Sequence, residues 1–247
     1  MAPKMKFDEF LQLVRSRRSC RKFKTDPIPD DVVEKILEAG RWAMSGGNGQ
    51  PWEFIVIRDP AIKQKIGDLF MNHRERVYQI ERTRVKELRM PAYYERPERK
   101  APPLMNAPVI IALLGDKRTK QSSVLSSHFF FGEGGAFAGY FKAMSNATQI
   151  IHLAAAALGL GSQWVTVNKG WEESLKGILE VPEELDIQTL VPIGYPDYKA
   201  PPPYRRKLAE ITHYDKYDHS KFRDGEAIYN WLLELRHRTE RSYEHGV

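Results

Sequence analysis

The chain has 247 residues, 42% of them hydrophobic, a formal net charge of +6 and one cysteine, Cys20. This length gives one large domain or two small ones with a sizeable core, and the composition excludes a disordered chain. A lone cysteine excludes an intramolecular disulfide and a Cys-rich zinc site, and without a secretory signal pattern or a run of ~18 apolar residues the expected location is cytoplasmic.

Apolar spacing from about Phe7 to Ser16 predicts a short helix. It runs into Arg17-Arg18-Ser19-Cys20-Arg21-Lys22-Phe23, where cationic side chains and a hydroxyl crowd into seven residues. Like charges packed this tightly repel one another unless an anion offsets them. Two readings stand side by side: a solvated basic surface, or a clamp in which guanidinium forks and a hydroxyl grip a phosphate. Pro27 and Pro29 break the chain, and Asp30 or Asp31 caps a second helix reaching about Ala43. Met44-Ser45-Gly46-Gly47-Asn48-Gly49-Gln50-Pro51-Trp52 is a glycine-rich loop that permits positive φ and close approach to a ligand, or is an ordinary turn. A strand follows over 53–58. The order helix, loop, strand reverses that of the dinucleotide and P-loop fingerprints, and neither spacing is present.

A short helix is expected to start near Ala61, followed by a highly charged segment from His73 to Lys100. With so few apolar positions that segment is expected to be exposed, as a solvated face or a lid over substrate. The apolar run 107–115 predicts a strand buried on both faces. Residues 122–138, rich in Ser, Gly and Phe, read as a loop or a pocket wall. Residues 147–158 are apolar nearly all round and predict a central helix, ended by Gly159 and Gly161; His152 on it reads as a hydrogen-bonded core histidine, with a catalytic role as the alternative. A strand over 162–168, a helix over 171–179 and a strand over 185–194 follow. Ala200 to Leu208 is extended and carries Arg205, Arg206 and Lys207; an amphipathic helix spans about 225–241. Strands alternating with helices predict an α/β-like or α+β class with a mixed sheet.

Four stretches in order resemble motifs of the nitroreductase superfamily: Arg17-Arg18-Ser19-Cys20-Arg21-Lys22-Phe23; Ala43-Met44-Ser45-Gly46-Gly47-Asn48-Gly49-Gln50-Pro51-Trp52; Leu158-Gly159-Leu160-Gly161-Ser162 leading into Trp164-Val165-Thr166; and Gly194-Tyr195-Pro196 followed by Arg205-Arg206-Lys207-Leu208. Some similarity extends to the iodotyrosine deiodinase-like branch. Met44 and Lys207 stand where the family often has proline.

The resemblance implies an α+β three-layer sandwich, a mixed central sheet with helices on both faces, working as an intertwined homodimer with FMN at the interface. The domain expected is a single one over 1–247, with a lid-like insertion about 70–106 and a C-terminal arm and helix about 199–247 that wraps the partner. It further implies that Arg17, Arg18, Ser19 and Arg205 hold the FMN phosphate, with Arg206 as the fallback. Arg21 would lie toward the pyrimidine edge, where a fixed cation stabilises the reduced ring. Met44, Ser45 and Gly46 would line the cofactor through their backbone, and Gln50 would come from the partner chain. Trp164, Val165 and Thr166 would pass the flavin face, with Thr166 a candidate near N5.

The implied activity is hydride transfer from NADH or NADPH through FMN to a nitroaromatic or quinone, in ping-pong order, with neither metal nor nucleic acid involved. The alternative within the superfamily is reductive dehalogenation of halogenated phenols, although no zwitterion-binding Glu, Tyr and Lys set is matched in 73–100. A basic nucleic-acid-binding protein without catalysis is the remote alternative. The glutamates interleaved with the basic residues and the absence of a recognition signature speak against it.

Overall fold

A computed structural model describes residues 6–89, 102–122 and 125–244, with only the backbone described for 125–136, 237–244 and Pro103. Residues 90–101 of the charged segment, including Arg96, Arg99 and Lys100, lie outside the described residues. The chain divides into two compact units, Met1–His73 with Ala101–Tyr198, and Arg74–Lys100 with Lys199–Val247.

In the first unit, α1 (Phe7–Ser16) precedes α2 (Asp30–Arg41), β1 (Trp52–Ile57) and α3 (Pro60–Glu81), of which residues 60–73 belong to this unit. Then come β2 (Val109–Asp116), α4 (Leu125–Ala157), β3 (Gly161–Ser162), β4 (Val165–Thr166), α5 (Glu172–Leu179) and β5 (Leu185–Gly194). The sheet runs in the order β1-β2-β5-β3, with β4 also paired to β5.

The α+β class is as expected, but the sheet is not mixed. Among the described residues every ladder is antiparallel, and parallel pairing is confined to a single bridge between Ser19 and Ser162. The reason is visible in the register. Ile57 pairs with Ile110, so the β1–β2 connection returns at the end it left, whereas the connection through α4 crosses from the Asp116 end to the Ile193–Gly194 end; β5 then lies between β2 and β3 and pairs antiparallel with both.

Period-2 alternation explains why β2 reads as a continuous apolar run. Val109, Ile111 and Leu113 join one core with Val33 and Ile36 of α2 and Ala147, Ile151 and Ala155 of α4. Ile110, Ala112 and Leu114 join the opposite core with Ile66 of α3, Leu175 of α5, and Cys20 and Phe23. All of β2 from Val109 to Gly115 is buried.

Helix α4 is 33 residues long and takes in 125–138, which was expected as a loop or pocket wall. Gly159 (φ 74) does end that helix, but Gly161 belongs to β3. The strand expected over 162–168 is two short pieces, β3 and β4. The helix expected near Ala61 runs to Glu81.

In the second unit, α6 (Leu208–Ile211) and α7 (Gly225–Glu244) follow the extended stretch 200–207. Helix α7 packs on a 3-10 turn, Lys86–Leu88, and the Arg223 guanidinium lies 4.8 Å over the Trp231 ring. Among the described residues no helix is long and apolar enough to cross a membrane.

Candidate functional site

The cationic run forms a strap over the sheet edge. After α1 ends, Ser19 bridges Ser162 and the Cys20 N–H donates to the Ser162 carbonyl at 2.9 Å. Phe23 then bridges Pro196, with Lys24 N–H donating to Tyr195 O (2.9 Å) and Asp197 N–H to Lys22 O (3.0 Å). Two glycines let the strap sit this close. A Cβ on Gly161 would lie 2.6 Å from Cys20 Cβ, and one on Gly194 2.7 Å from Pro108 Cδ and 2.9 Å from Phe23 Cδ1. The glycines of the third and fourth motifs therefore serve the first motif. Tyr198 closes the turn: the Arg21 N–H donates to its hydroxyl at 3.2 Å, and that hydroxyl donates to the Ser19 carbonyl at 3.3 Å.

Within this strap Arg17, Arg18, Ser19 and Arg21 are all half-buried. Arg18 turns partly away from clamp duty. Its Nη1 donates to the Arg17 carbonyl at 2.9 Å and to that of Arg15, capping the C-terminal carbonyls of α1. Lys22 pairs with Asp197 at 2.7 Å.

Ser162 ties the strap to the helix beneath. His152 is 3% exposed, and its Nδ1 lies 2.7 Å from the Ser162 hydroxyl. The imidazole stacks on the Trp164 ring, with centroids 5.9 Å apart and planes at 26°. Burial, and next the positive charge of Arg17, push its pKa down to about 4, so the ring is neutral at physiological pH. Three buried polar atoms without a hydrogen-bond partner gather around Ser19 and Ser162: Arg18 Nε, His152 Nε2 and Gln163 Oε1. Groups this enclosed are ordinarily satisfied. Arg18 Nε and Gln163 Oε1 fit a bound group rich in polar oxygens and nitrogens, and one with an anionic part suits the arginines beside them.

The link from Ser162 runs past this point. Trp164 is 40% exposed. Val165 is buried in the second core and pairs with Leu190, and its carbonyl accepts from the buried Thr189 Oγ1 at 2.9 Å. Thr166, paired with Thr189, is exposed. The strap thus shares one edge of the unit with Trp164, Val165 and Thr166.

The glycine loop packs further along the same helix. Asn146 Nδ2 donates to the Met44 carbonyl at 3.2 Å, six residues before His152 and so roughly 9 Å along the α4 axis. Ser45 Oγ accepts from the Gln50 N–H at 3.0 Å, and Gly46 O accepts from Ser122 Oγ at 3.1 Å. Gly47 sits at φ 57, and Asn48 and Gln50 also have positive φ. The Met44 side chain is 77% exposed. Ser45, Gly46 and Gly49, with Lys120, Ser122 and Tyr140, line a small pocket; burial pushes the Tyr140 phenol pKa up.

Arg205 and Arg206 belong to the second unit. Arg205 is exposed, with Nη1 donating to Tyr204 O at 2.8 Å; Arg206 donates to Glu210 O at 3.0 Å and lies 3.7 Å from its carboxylate. Among the described residues no cluster of three or more His, Cys, Asp or Glu side chains could hold a metal ion.

Sequence reasoning missed Tyr198, Gln163 and the role of Ser162. Nothing local marks Tyr198, whose bond to Arg21 spans 177 positions. Ser162 could have been found, since it closes the motif that precedes Trp164.

Residues 14–195 match the profile described as the Nitroreductase family. A protein of Archaeoglobus fulgidus, provisionally named an NADH dehydrogenase/NAD(P)H nitroreductase, is 29% identical over 191 residues, covering 76% of this chain and 86% of its own. Iodotyrosine deiodinase 1 of Rattus norvegicus is 29% identical over 216 residues, 84% of this chain and 69% of its own. Among solved structures, oxidized iodotyrosine deiodinase bound to FMN and 3-iodo-L-tyrosine superposes with a TM-score of 0.64 at 22% identity, covering 84% of this chain and 99% of that one, and so shares its fold.

Proposed function

The chain belongs to the Nitroreductase family, and we propose that it is an FMN-dependent oxidoreductase that passes hydride from NADH or NADPH to an electron-poor organic acceptor of the nitroaromatic or quinone class. The observation that carries this reading is the strap. Arg17, Ser19 and Arg21 are fastened by backbone bonds beside Trp164 and Thr166, among buried polar atoms with no protein partner.

In this reading Arg17 and Ser19 hold the FMN phosphate, and Arg205, with Arg206 as the fallback if the register slips by one, is a further phosphate-binding candidate. Arg18 contributes through Nε, because its Nη1 is committed to α1. Arg21 sets the electrostatics at the pyrimidine edge. Met44, Ser45 and Gly46 line the ring by backbone, and Gln50 reaches it from the partner protomer of a homodimer. Trp164 and the Val165 backbone flank the ring, and Thr166 presents a hydroxyl or N–H toward N5. FMN, when bound, supplies two-electron hydride exchange, so no side chain of this chain has to act as a nucleophile. The chain binds, orients and excludes water. NAD(P)H and the acceptor occupy one place in turn, a ping-pong order.

The matched deiodinase relatives favour one second reading, reductive dehalogenation of a halogenated phenol at the same site. The test is product analysis of the FMN-loaded protein with NADH or NADPH against a nitroaromatic, a quinone and a halophenol in parallel. Halide release outpacing nitro and quinone reduction selects the dehalogenase.

A further inference from the structure

The proposed chemistry makes no use of His152. Yet this ring touches both ends of the turn that the strap rests on. Its Nδ1 lies 2.7 Å from Ser162 Oγ, and Ser162 carries the strap through its carbonyl and its pairing with Ser19. Its face stacks on Trp164, two residues further on, whose indole is 40% exposed. The ring projects from the stretch of α4 that holds Thr148, Ile151 and Ala155, each no more than 1% exposed, so its anchor is rigid.

Packing does not account for an imidazole here. A leucine would fill similar space without burying a polar ring, and one ring nitrogen, Nε2, is left with no partner. What a leucine could not supply is the bond to Ser162, which fixes the hydroxyl and the ring plane together and so sets the orientation of Trp164.

We propose that His152 is a positioning residue of the flavin site, holding the 162–164 turn through the Ser162 hydroxyl and the face of Trp164 so that strap and indole are both presented to the cofactor. It acts from beneath and does not itself touch substrate. This inference rests on the FMN reading above.

The experiment measures FMN affinity by quenching of flavin fluorescence for the wild-type full chain, His152→Leu, His152→Asn, Ser162→Ala and the double variant His152→Leu/Ser162→Ala, with circular dichroism and thermal unfolding of each apoprotein. Asparagine places a polar atom near the position of Nδ1 and can restore the bond to Ser162. The expected result is FMN affinity weakened about tenfold in His152→Leu and in Ser162→Ala, the scale of one buried hydrogen bond. The double variant is expected to lose no more than either single one, and His152→Asn to recover to within about threefold of wild type. Ser162→Ala keeps every backbone bond of the strap, so it carries the test if His152→Leu does not fold. Wild-type affinity in Ser162→Ala, fully additive losses, or His152→Asn as weak as His152→Leu would each overturn the inference and leave the FMN reading standing. A wild type that takes up no FMN overturns both.

Discussion

Gly161 and Gly194 pair across the β3–β5 ladder, and the strap crosses above them, Cys20 against the first and Phe23 against the second. The two glycines are 33 positions apart in the chain. Their missing side chains set the height at which the cationic segment rides over the sheet.

Gly161→Ala would place a methyl 2.6 Å from Cys20 Cβ, and Gly194→Ala one 2.7 Å from the Pro108 ring, neither of which can swing aside freely. Each substitution is expected to destabilise the fold by about 1–3 kcal/mol, the usual range for overpacking. Because the strap is displaced in both, at Cys20 by the first and at Phe23, 2.9 Å from the added methyl, by the second, FMN retention should fall as well. Urea unfolding and flavin retention on gel filtration check both effects. A Gly161→Ala variant with wild-type stability would contradict the close approach.

The glycine loop offers a sharper contrast between neighbours. Gly47 has φ 57, and a Cβ there would lie 2.2 Å from the Ser122 carbonyl oxygen, whereas a Cβ on Gly46 meets nothing within 4 Å. Gly47→Ala combines backbone strain with a backbone clash and should cost about 2 kcal/mol or more. Gly46→Ala should change stability by less than about 0.5 kcal/mol. Paired thermal melts measure the difference.

Much of this architecture is legible in the residues. The helices 7–16 and 30–41 and the strand 185–194 follow from periodicity, and the run 107–115 announces a strand covered on both sides, but the expected cap by Asp30 or Asp31 is not formed: Pro29 holds the cap position and both aspartates sit in the first turn of α2, on the favourable end of its dipole. Helix α4 is not legible over its first half. Gly132, Gly134, Gly135 and Gly139 are poor helix formers, and tertiary context overrides that propensity. The sheet reads as mixed because alternating strands and helices ordinarily imply crossovers between neighbours, while here the crossover through α4 joins β2 to β3, and β5 lies between them and pairs antiparallel with both. At the site, motif order names Arg17 to Arg21 and Trp164 to Thr166. It does not reveal Tyr198 or the His152–Ser162 bond, because long-range hydrogen bonds leave no local periodicity.

Acid should act on this protein through His152. Its native pKa is about 4, below the ordinary 6.5, because burial and then Arg17 disfavour the charged ring. As pH falls the unfolded chain takes the proton first, so stability is full above about pH 6.5 and declines through pH 4, flattening below. Over that window the loss from this group is on the order of 3 kcal/mol. Denaturation midpoints measured from pH 7 to 4 should show the decline, and His152→Asn should shallow it. An unchanged slope in the variant would refute the assignment to this ring.

Arg17→Ala removes a cation from the strap and leaves the backbone bonds of Ser19 and Cys20 in place. FMN affinity should drop about tenfold or more, as expected for loss of a charge-assisted bond to phosphate. Turnover per bound flavin should change by less than about threefold, since the guanidinium is remote from the reacting end of the ring. Arg205→Ala is expected to behave in the same way. Affinity by titration and turnover at saturating FMN separate the two effects.

The most direct test of the central claim is the visible spectrum of the purified protein after incubation with FMN and desalting. A retained flavin band that bleaches on anaerobic addition of NADH or NADPH and returns when a nitroaromatic or quinone is added is the result predicted. A protein that holds no flavin band after this treatment would contradict the account.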